Sequence, residues 1–143
     1  MKILFVSPVG AMFSGAEVAI VNLMKLLVQQ GHEVYNVIPD NAPHIDKDYL
    51  RHMDITGIKL FQLKTNQWWW PESKTLDILD LEIQASQQKN IEEVREIIQN
   101  EQIELVISNT VNVFQGAIAA ACEKVRHFYI IHEFPFGEFG YYK

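Results

Sequence analysis

Residues 10–17 read GAMFSGAE, and they lie between an apolar stretch and an amphipathic one. Two glycines separated by four residues begin a P-loop, whose backbone N–H groups surround a phosphate. A P-loop continues with Lys and then Ser or Thr, whereas this chain has Ala16 and Glu17. Because the lysine that contacts the β- and γ-phosphates is missing, a P-loop ATPase is not expected.

Two roles remain open for this glycine segment. Gly10 and Gly15 can adopt conformations closed to other residues, and the N–H groups that begin the next helix favour an anion or a hydroxyl-rich ligand. Alternatively, Ser14 is a helix N-cap and Glu17, three residues later, completes a capping box. In that second role Gly15 only permits a tight turn between strand and helix.

Composition narrows the class of protein. The chain has 143 residues, 21% of them charged, and a net charge of −6, which fits one globular domain with a real core. The acidic balance argues against a general nucleic-acid-binding protein, because phosphate neutralisation needs clustered Lys and Arg. Cys122 is the single cysteine, which excludes an internal disulfide and favours a reducing, cytoplasmic location.

Strand-like and helix-like segments alternate along the chain. The predicted strands are KILFVSP, EVYNVIPD, IKLFQLK, IELVISNT and RHFYIIHE. The predicted helices are EVAIVNLMKLLVQQGH with Gly31 as its C-cap, a short helix over 47–53, IEEVREIIQNEQ and VFQGAIAAACEKV, with 65–90 as a long connection. The alternation predicts an α/β fold, a Rossmann-like doubly wound parallel sheet with helices on both faces.

Ligands of such sheets bind at the carboxyl ends of the strands, beside the helix amino ends. That edge is expected to carry residues 7–17, Pro39, Asp40, residues 108–110, His132 and Glu133. Asp40 has the position at which a dinucleotide-binding fold places a ribose-binding acid, but the glycines do not match the GxGxxG motif. Asp40 is interpreted more simply as a turn residue. An NAD-dependent oxidoreductase is therefore a weak hypothesis. No Asp-x-Asp pair or His/Cys cluster stands at a strand end, so no metal is implied.

The order of these segments resembles the N-terminal half of GT-B glycosyltransferases, and most closely the large retaining family 4. The resemblance rests on KILFVSP, the loop ending in SGAE, VAIVNLMKLLVQQGHEV, ELVISNT and YIIHE. It implies two Rossmann-like domains across a cleft, with the acceptor mostly on the first and the nucleotide-sugar donor on the second. On this basis 1–143 is expected to be a truncated acceptor-side domain, inactive without its C-terminal donor-binding domain.

The resemblance also implies roles for individual residues on the donor side. Gly15, with its neighbours Ser14 and Ala16, is expected to approach the donor diphosphate, although Ser14 stands where many relatives have a first glycine. His132 matches a histidine that hydrogen-bonds the donor sugar near the reacting centre, and it is the expected catalytic residue. His127, at the other end of the same predicted strand, is expected to be structural.

On the acceptor side, the expected contacts are Glu17, Asn109, Thr110 and Glu133. Asn109 and Thr110 could equally satisfy backbone groups of their turn. The implied partners are a nucleotide sugar, a carbohydrate or lipid-linked acceptor and the chain's own C-terminal domain, with no nucleic acid and no cofactor. The expected location is the cytoplasm, with peripheral association at the inner face of the membrane as an option.

Three adjacent tryptophans, Trp68, Trp69 and Trp70, are the most unusual feature of the composition. They cannot all face one side of a regular element, so either they stack on an acceptor sugar, lie at a membrane interface, or seal a loop against the sheet or a second domain. A different class of function also stays open, namely a stand-alone α/β binding module that works with a separate catalytic subunit.

Overall fold

The computed structural model describes residues 1–12, 15–40, 45–63, 78–110 and 113–131. Its elements, in chain order, are β1 (Lys2–Val6), α1 (Gly15–Gln29), β2 (Glu33–Pro39), α2 (Lys47–Thr56), β3 (Lys59–Leu63), α3 (Ile78–Glu101), β4 (Leu105–Asn109), α4 (Gln115–Cys122) and β5 (Arg126–Ile130). All five predicted strands are present, and each predicted helix is found at its expected place. None of the described helices is both long and apolar enough to traverse a bilayer.

The five strands form one parallel sheet in the order β3-β2-β1-β4-β5. β1 therefore lies at the centre, paired with β2 on one side and with β4 on the other. Successive side chains of a strand point to opposite faces, and both faces of β1 are buried. This burial explains why the strands read as continuous apolar runs.

The two faces of the sheet support two separate cores. Leu4 and Val6 of β1 belong to a core that includes residues of α3 and α4. Ile3 and Phe5 belong to the other core, which includes residues of α1 and α2. The predicted doubly wound arrangement, with helices on both faces, is therefore confirmed.

Two helices extend beyond their predicted bounds. α2 continues to Thr56 and ends where Gly57 adopts a left-handed conformation, with φ of 79°. α3 begins at Ile78, inside the segment that the sequence analysis read as a connection. That segment contains strong helix formers and no Gly or Pro after residue 77. Its helical face is hidden from pattern reading because Gln87 and Asn90, both polar, occupy the buried positions.

α4 lies unusually close to the centre of the sheet. A Cβ atom added at Gly116 would lie 2.7 Å from Val6 Cγ2 and 2.8 Å from Ser108 Oγ. Val6 and Ser108 are fully buried, so neither side chain can turn toward solvent to make room. Gly116 is therefore the residue that lets α4 approach β1 and β4.

Gly116→Ala is expected to lower the free energy of unfolding by about 1–2 kcal/mol, because overpacking outweighs the helix-propensity gain of alanine. Urea denaturation of the wild type and the variant measures the difference. Gly15→Ala is the matched control, because a Cβ at Gly15 meets nothing within 4 Å; its stability should equal or slightly exceed that of the wild type. Equal stability of Gly116→Ala and wild type would contradict the close-packing interpretation.

Candidate functional site

The carboxyl edge of the sheet has its crevice between β1 and β4. These strands are neighbours, with Val6 paired to Ser108, but α1 and α4 pack on opposite faces. The chain segments that follow the two strands therefore diverge, and such a switch point is where open α/β sheets bind ligands. Residues 7–12, the described part of the β1–α1 loop, flank the crevice on one side, and Asn109 and Thr110 flank it on the other.

The two glycines of the β1–α1 segment have different structural roles. Gly10 has no positive φ, so the expectation that it uses a conformation closed to other residues is wrong, whereas for Gly15 that expectation stays a prediction. Gly10 is buried, and a Cβ there would lie 2.6 Å from Ile38 Cδ1, so its small size is required for packing. Gly15, the first residue of α1, is exposed, and no atom that the structure describes lies within 4 Å of the position of a Cβ there. A ligand can therefore approach the backbone at Gly15.

The remaining predicted residues are only partly described. Ala16 and Glu17 lie half-buried in the first turn of α1, where the partial positive charge of the helix amino end favours a carboxylate. The predictions for Ser14, His132, Glu133 and the three tryptophans 68–70 lie outside the described residues. The choice between a capping box and a ligand-binding turn at Ser14 therefore stays a prediction.

Three buried polar side chains beneath the β1–α1 loop form a hydrogen-bonded ring that the sequence analysis missed. The Ser7 hydroxyl donates to Asn36 Oδ1 at 2.8 Å, and Asn36 Nδ2 donates to the Tyr49 hydroxyl at 2.6 Å. The Ser7 and Tyr49 hydroxyls are close enough to interact, which closes the ring. Each of the three residues is at most 3% exposed. We call these residues, from β1, β2 and α2, the polar ring.

The polar ring satisfies groups that would otherwise be buried without partners. Removing one member would leave a buried donor or acceptor unsatisfied, at a cost of about 1–3 kcal/mol. Burial raises the pKa of the Tyr49 phenol, the hydrogen bonds with Asn36 and Ser7 lower it in part, and the nearby charge of Glu17 raises it. The phenol therefore stays protonated at neutral pH.

Asn109 and Thr110 end β4 at the other side of the crevice. Asn109 is 3% exposed, and its Oδ1 atom has no hydrogen-bond partner within the described ranges. A buried amide oxygen without a partner is uncommon and calls for an explanation. Thr110 has φ of 77°, and its backbone N–H donates to the Ile130 carbonyl at 2.9 Å. The backbone of Thr110 is thus part of the turn that leaves the strand.

His127 contributes to the packing between β4 and β5. Its Nε2 atom lies 2.7 Å from the buried Ser108 hydroxyl, and its ring contacts Tyr129 edge-on, with 4.6 Å between ring centroids. Burial lowers the pKa of His127 from its usual value near 6.5. The expected structural role for this histidine fits these contacts.

No group of three or more His, Cys, Asp and Glu side chains able to hold a metal ion is found in the part of the chain that the structure describes.

Titration of His127 should make the protein less stable in mild acid. Its folded-state pKa is lowered, so the unfolded chain binds a proton more readily, and stability is lost as pH falls from 6.5 through the folded pKa. Urea denaturation between pH 7.5 and 5.5 measures this loss, which should be smaller in His127→Gln. An unchanged slope in His127→Gln would contradict the assignment.

The fold occurs in solved structures of proteins with different activities. A glycosyltransferase from Rickettsia africae ESF-5 aligns with 90% of this chain and 28% of its own, at a TM-score of 0.60 and 16% identity. The UDP-GlcNAc 2-epimerase from Neisseria meningitidis, bound to UDP-GlcNAc, aligns with 91% of this chain and 31% of its own chain. The TM-score is 0.60 and the sequence identity is 14%.

A third similar structure is the C-terminal domain (residues 78–226) of the PF1911 hydrogenase from Pyrococcus furiosus. It aligns over 91% of this chain and 90% of its own, at a TM-score of 0.62 and 17% identity. The chain thus spans about a third of the glycosyltransferase and epimerase chains and nearly all of the hydrogenase domain. No protein-family model and no curated protein sequence matches it. Likeness at this level of identity establishes the shared fold.

Proposed function

We propose that the chain is the acceptor-side domain of a GT-B glycosyltransferase of the retaining type, which moves a sugar from a nucleotide sugar to an acceptor hydroxyl. In this reaction the acceptor oxygen bonds to the anomeric carbon, and the bond between that carbon and the diphosphate breaks. The nucleoside diphosphate leaves with the electron pair, and the acceptor hydroxyl gives up its proton. The domain that would hold most of the donor is the C-terminal one.

The observation that carries the proposal is the open backbone at Gly15. It lies at the amino end of α1, at the switch point, and none of the described residues comes within 4 Å of the position of a Cβ there. Exposed N–H groups at a helix amino end favour a phosphate. The similar glycosyltransferase and the epimerase solved with UDP-GlcNAc support a nucleotide sugar as the ligand. Ser14, Gly15 and Ala16 would accordingly face the donor diphosphate.

Asn109 supports the acceptor-binding part of the proposal. Its Oδ1 atom lacks a partner among the described residues, and a sugar hydroxyl is a donor that would satisfy it. Glu17, Thr110 and Glu133 are the further residues proposed on this side. His132, two residues beyond the end of β5, is the proposed catalytic residue through a hydrogen bond to the donor sugar.

Titration with UDP, followed by amide NMR, tests the diphosphate contact. Millimolar UDP is expected to shift the amides of Gly15 and Ala16, with weak affinity because the other domain would supply most contacts. Gly15→Ala should remove these shifts without loss of stability, since the added methyl has room but blocks close approach. Gln29→Ala, at the far end of α1, is the control that should bind like the wild type. Equal binding by Gly15→Ala, or none by the wild type, would overturn this part.

The role of His132 is tested in the longest natural form of the protein. His132→Ala is expected to lower turnover about a hundredfold or more, the usual size of one positioned catalytic group, while far-UV circular dichroism stays unchanged. His52→Gln should leave turnover as it is. Wild-type kinetics in His132→Ala would assign this histidine a structural role. The 143-residue chain alone is expected to transfer no sugar, and multiple turnover by it would contradict the two-domain proposal.

A second candidate function is a stand-alone α/β binding module. The specific observation that favours it is the PF1911 hydrogenase domain, because a unit of nearly the same size has this fold within a hydrogenase, so the fold also occurs outside the sugar enzymes. The intact mass of the protein from its native source separates the two candidates. A mass roughly double the 16.5 kDa of this chain or more would support a second domain. A mass equal to it would favour the binding module and a search for a partner subunit.

A further inference from the structure

We propose that β5 is an interface strand, along which the chain pairs with a second copy of itself. The pairing is antiparallel about a two-fold axis at Phe128, and it joins two five-stranded sheets into one continuous sheet. The surface involved is the outer edge of β5, which is separate from the crevice between β1 and β4. The inference therefore does not depend on the proposed sugar transfer.

β5 is the end strand of the sheet that the structure describes, and its side chains are unusually apolar for that position. Phe128 is 57% exposed and Tyr129 is 38% exposed. Phe128 is paired with Ile107, a core residue, but the helical layer that buries Ile107 leaves Phe128 open to solvent. An exposed apolar edge of this kind is a template for pairing with another strand.

The opposite edge strand, β3, is protected by charge. The Lys59 ammonium lies 2.7 Å from Glu101 Oε1 and 5.3 Å from the centre of the Phe61 ring. Charged side chains, lysine above all, are a usual means of preventing an edge strand from pairing. In β5 the only Lys, Arg, Asp or Glu is the first residue, Arg126. The difference between the two edges predicts association at β5 and not at β3.

The backbone of β5 limits the registers that a second copy can use. The Ile130 carbonyl accepts from the Thr110 N–H, so Ile130 and, by alternation, Phe128 direct their backbone groups toward β4. His127 and Tyr129 therefore direct theirs outward. In an antiparallel pair centred on Phe128, His127 of one copy lies opposite Tyr129 of the other. These two residues then exchange both backbone hydrogen bonds of a regular antiparallel ladder.

The same register brings compatible side chains together. Phe128 faces its own counterpart in a non-hydrogen-bonded pair, where side chains lie closest and aromatic pairs stabilise a sheet. Arg126 of one copy faces Ile130 of the other, so the charged residue of the strand does not oppose itself. The contact is self-complementary, as a two-fold interface between identical chains requires.

Helix α4 adds to this surface. It packs beside β5, contains no charged residue and exposes Ile118. A two-fold axis perpendicular to the sheet places the α4 helices of both copies on the same face, on either side of the axis. An uncharged helix next to an uncharged edge fits a second copy better than it fits a charged partner.

Light scattering coupled to size-exclusion chromatography of the 143-residue chain measures the association. The expected mass at micromolar concentration is about twice 16.5 kDa. Phe128→Glu should return the mass to that of one chain, because two carboxylates would lie directly opposite each other. Phe128→Lys should do the same for the same reason. Ile55→Glu is the matched control, since Ile55 is an apolar side chain on α2 that is 76% exposed, and it should retain the wild-type mass.

A mixture of the two Phe128 variants tests the register. Equimolar Phe128→Glu and Phe128→Lys should form a heterodimer, since pairing about Phe128 places the two opposite charges against each other. Because Phe128 is exposed, far-UV circular dichroism of both variants should equal that of the wild type.

A monomeric wild-type chain would overturn the inference. So would a dimer that Phe128→Glu leaves intact, or a mixture of the two variants that stays monomeric. The same measurement is made on the longest natural form of the protein, where a dimer sensitive to Phe128→Glu is again expected. A monomer there would assign the β5 edge to another part of the same protein and would also contradict the proposal.

Discussion

The central strand β1 must be buried on both of its faces, and the positions of the other elements follow from this constraint. Leu4 and Val6 require a helical layer on one side, and Ile3 and Phe5 require one on the other. The two layers oblige the connections after β1 and β4 to leave in opposite directions, which opens a crevice between neighbouring strands. The crevice at the candidate site is therefore a consequence of burying both faces of β1 under helices.

Polar side chains in the middle of this core must then be paired with one another. Ser7, Asn36 and Tyr49 lie where the apolar layer reaches the carboxyl edge, and their mutual hydrogen bonds remove the penalty of burial. Asn109 lies at the same edge with one oxygen unsatisfied within the described structure. One side of the crevice thus carries polar side chains that are paired with one another, and the other side carries an amide oxygen that is unpaired within the described residues.

The sequence predicted the fold well where a pattern was continuous. The five apolar runs gave the strands, and the 3.6-residue periodicity of α1 gave that helix with its end at Gly31, whose φ is 92°. The first half of α3 escaped prediction because Gln87 and Asn90 replace apolar residues on its inner face. A periodicity in hydrophobic residues reveals a helix only where its buried face is apolar, so a helix that buries polar groups goes undetected.

The candidate site was predictable only in part. The convergence of the β1–α1 loop with Asn109 and Thr110 at one edge follows from the parallel arrangement of the strands, which the alternation of elements predicts. The polar ring does not follow from any motif, since its members come from three elements. The only signal was a polar residue within an apolar strand, such as Asn36 in EVYNVIP. Gly10 was mispredicted because its smallness serves packing against Ile38 and not an unusual φ.

The polar ring also limits which substitutions this sequence can tolerate during evolution. A change at one of its three positions leaves a buried group without a partner, whereas coordinated replacement by apolar residues of similar shape can be nearly neutral. Substitutions at Ser7, Asn36 and Tyr49 should therefore be strongly epistatic, with the effect of each depending on the other two. During evolution the residues at these three positions are therefore expected to be retained together or replaced together.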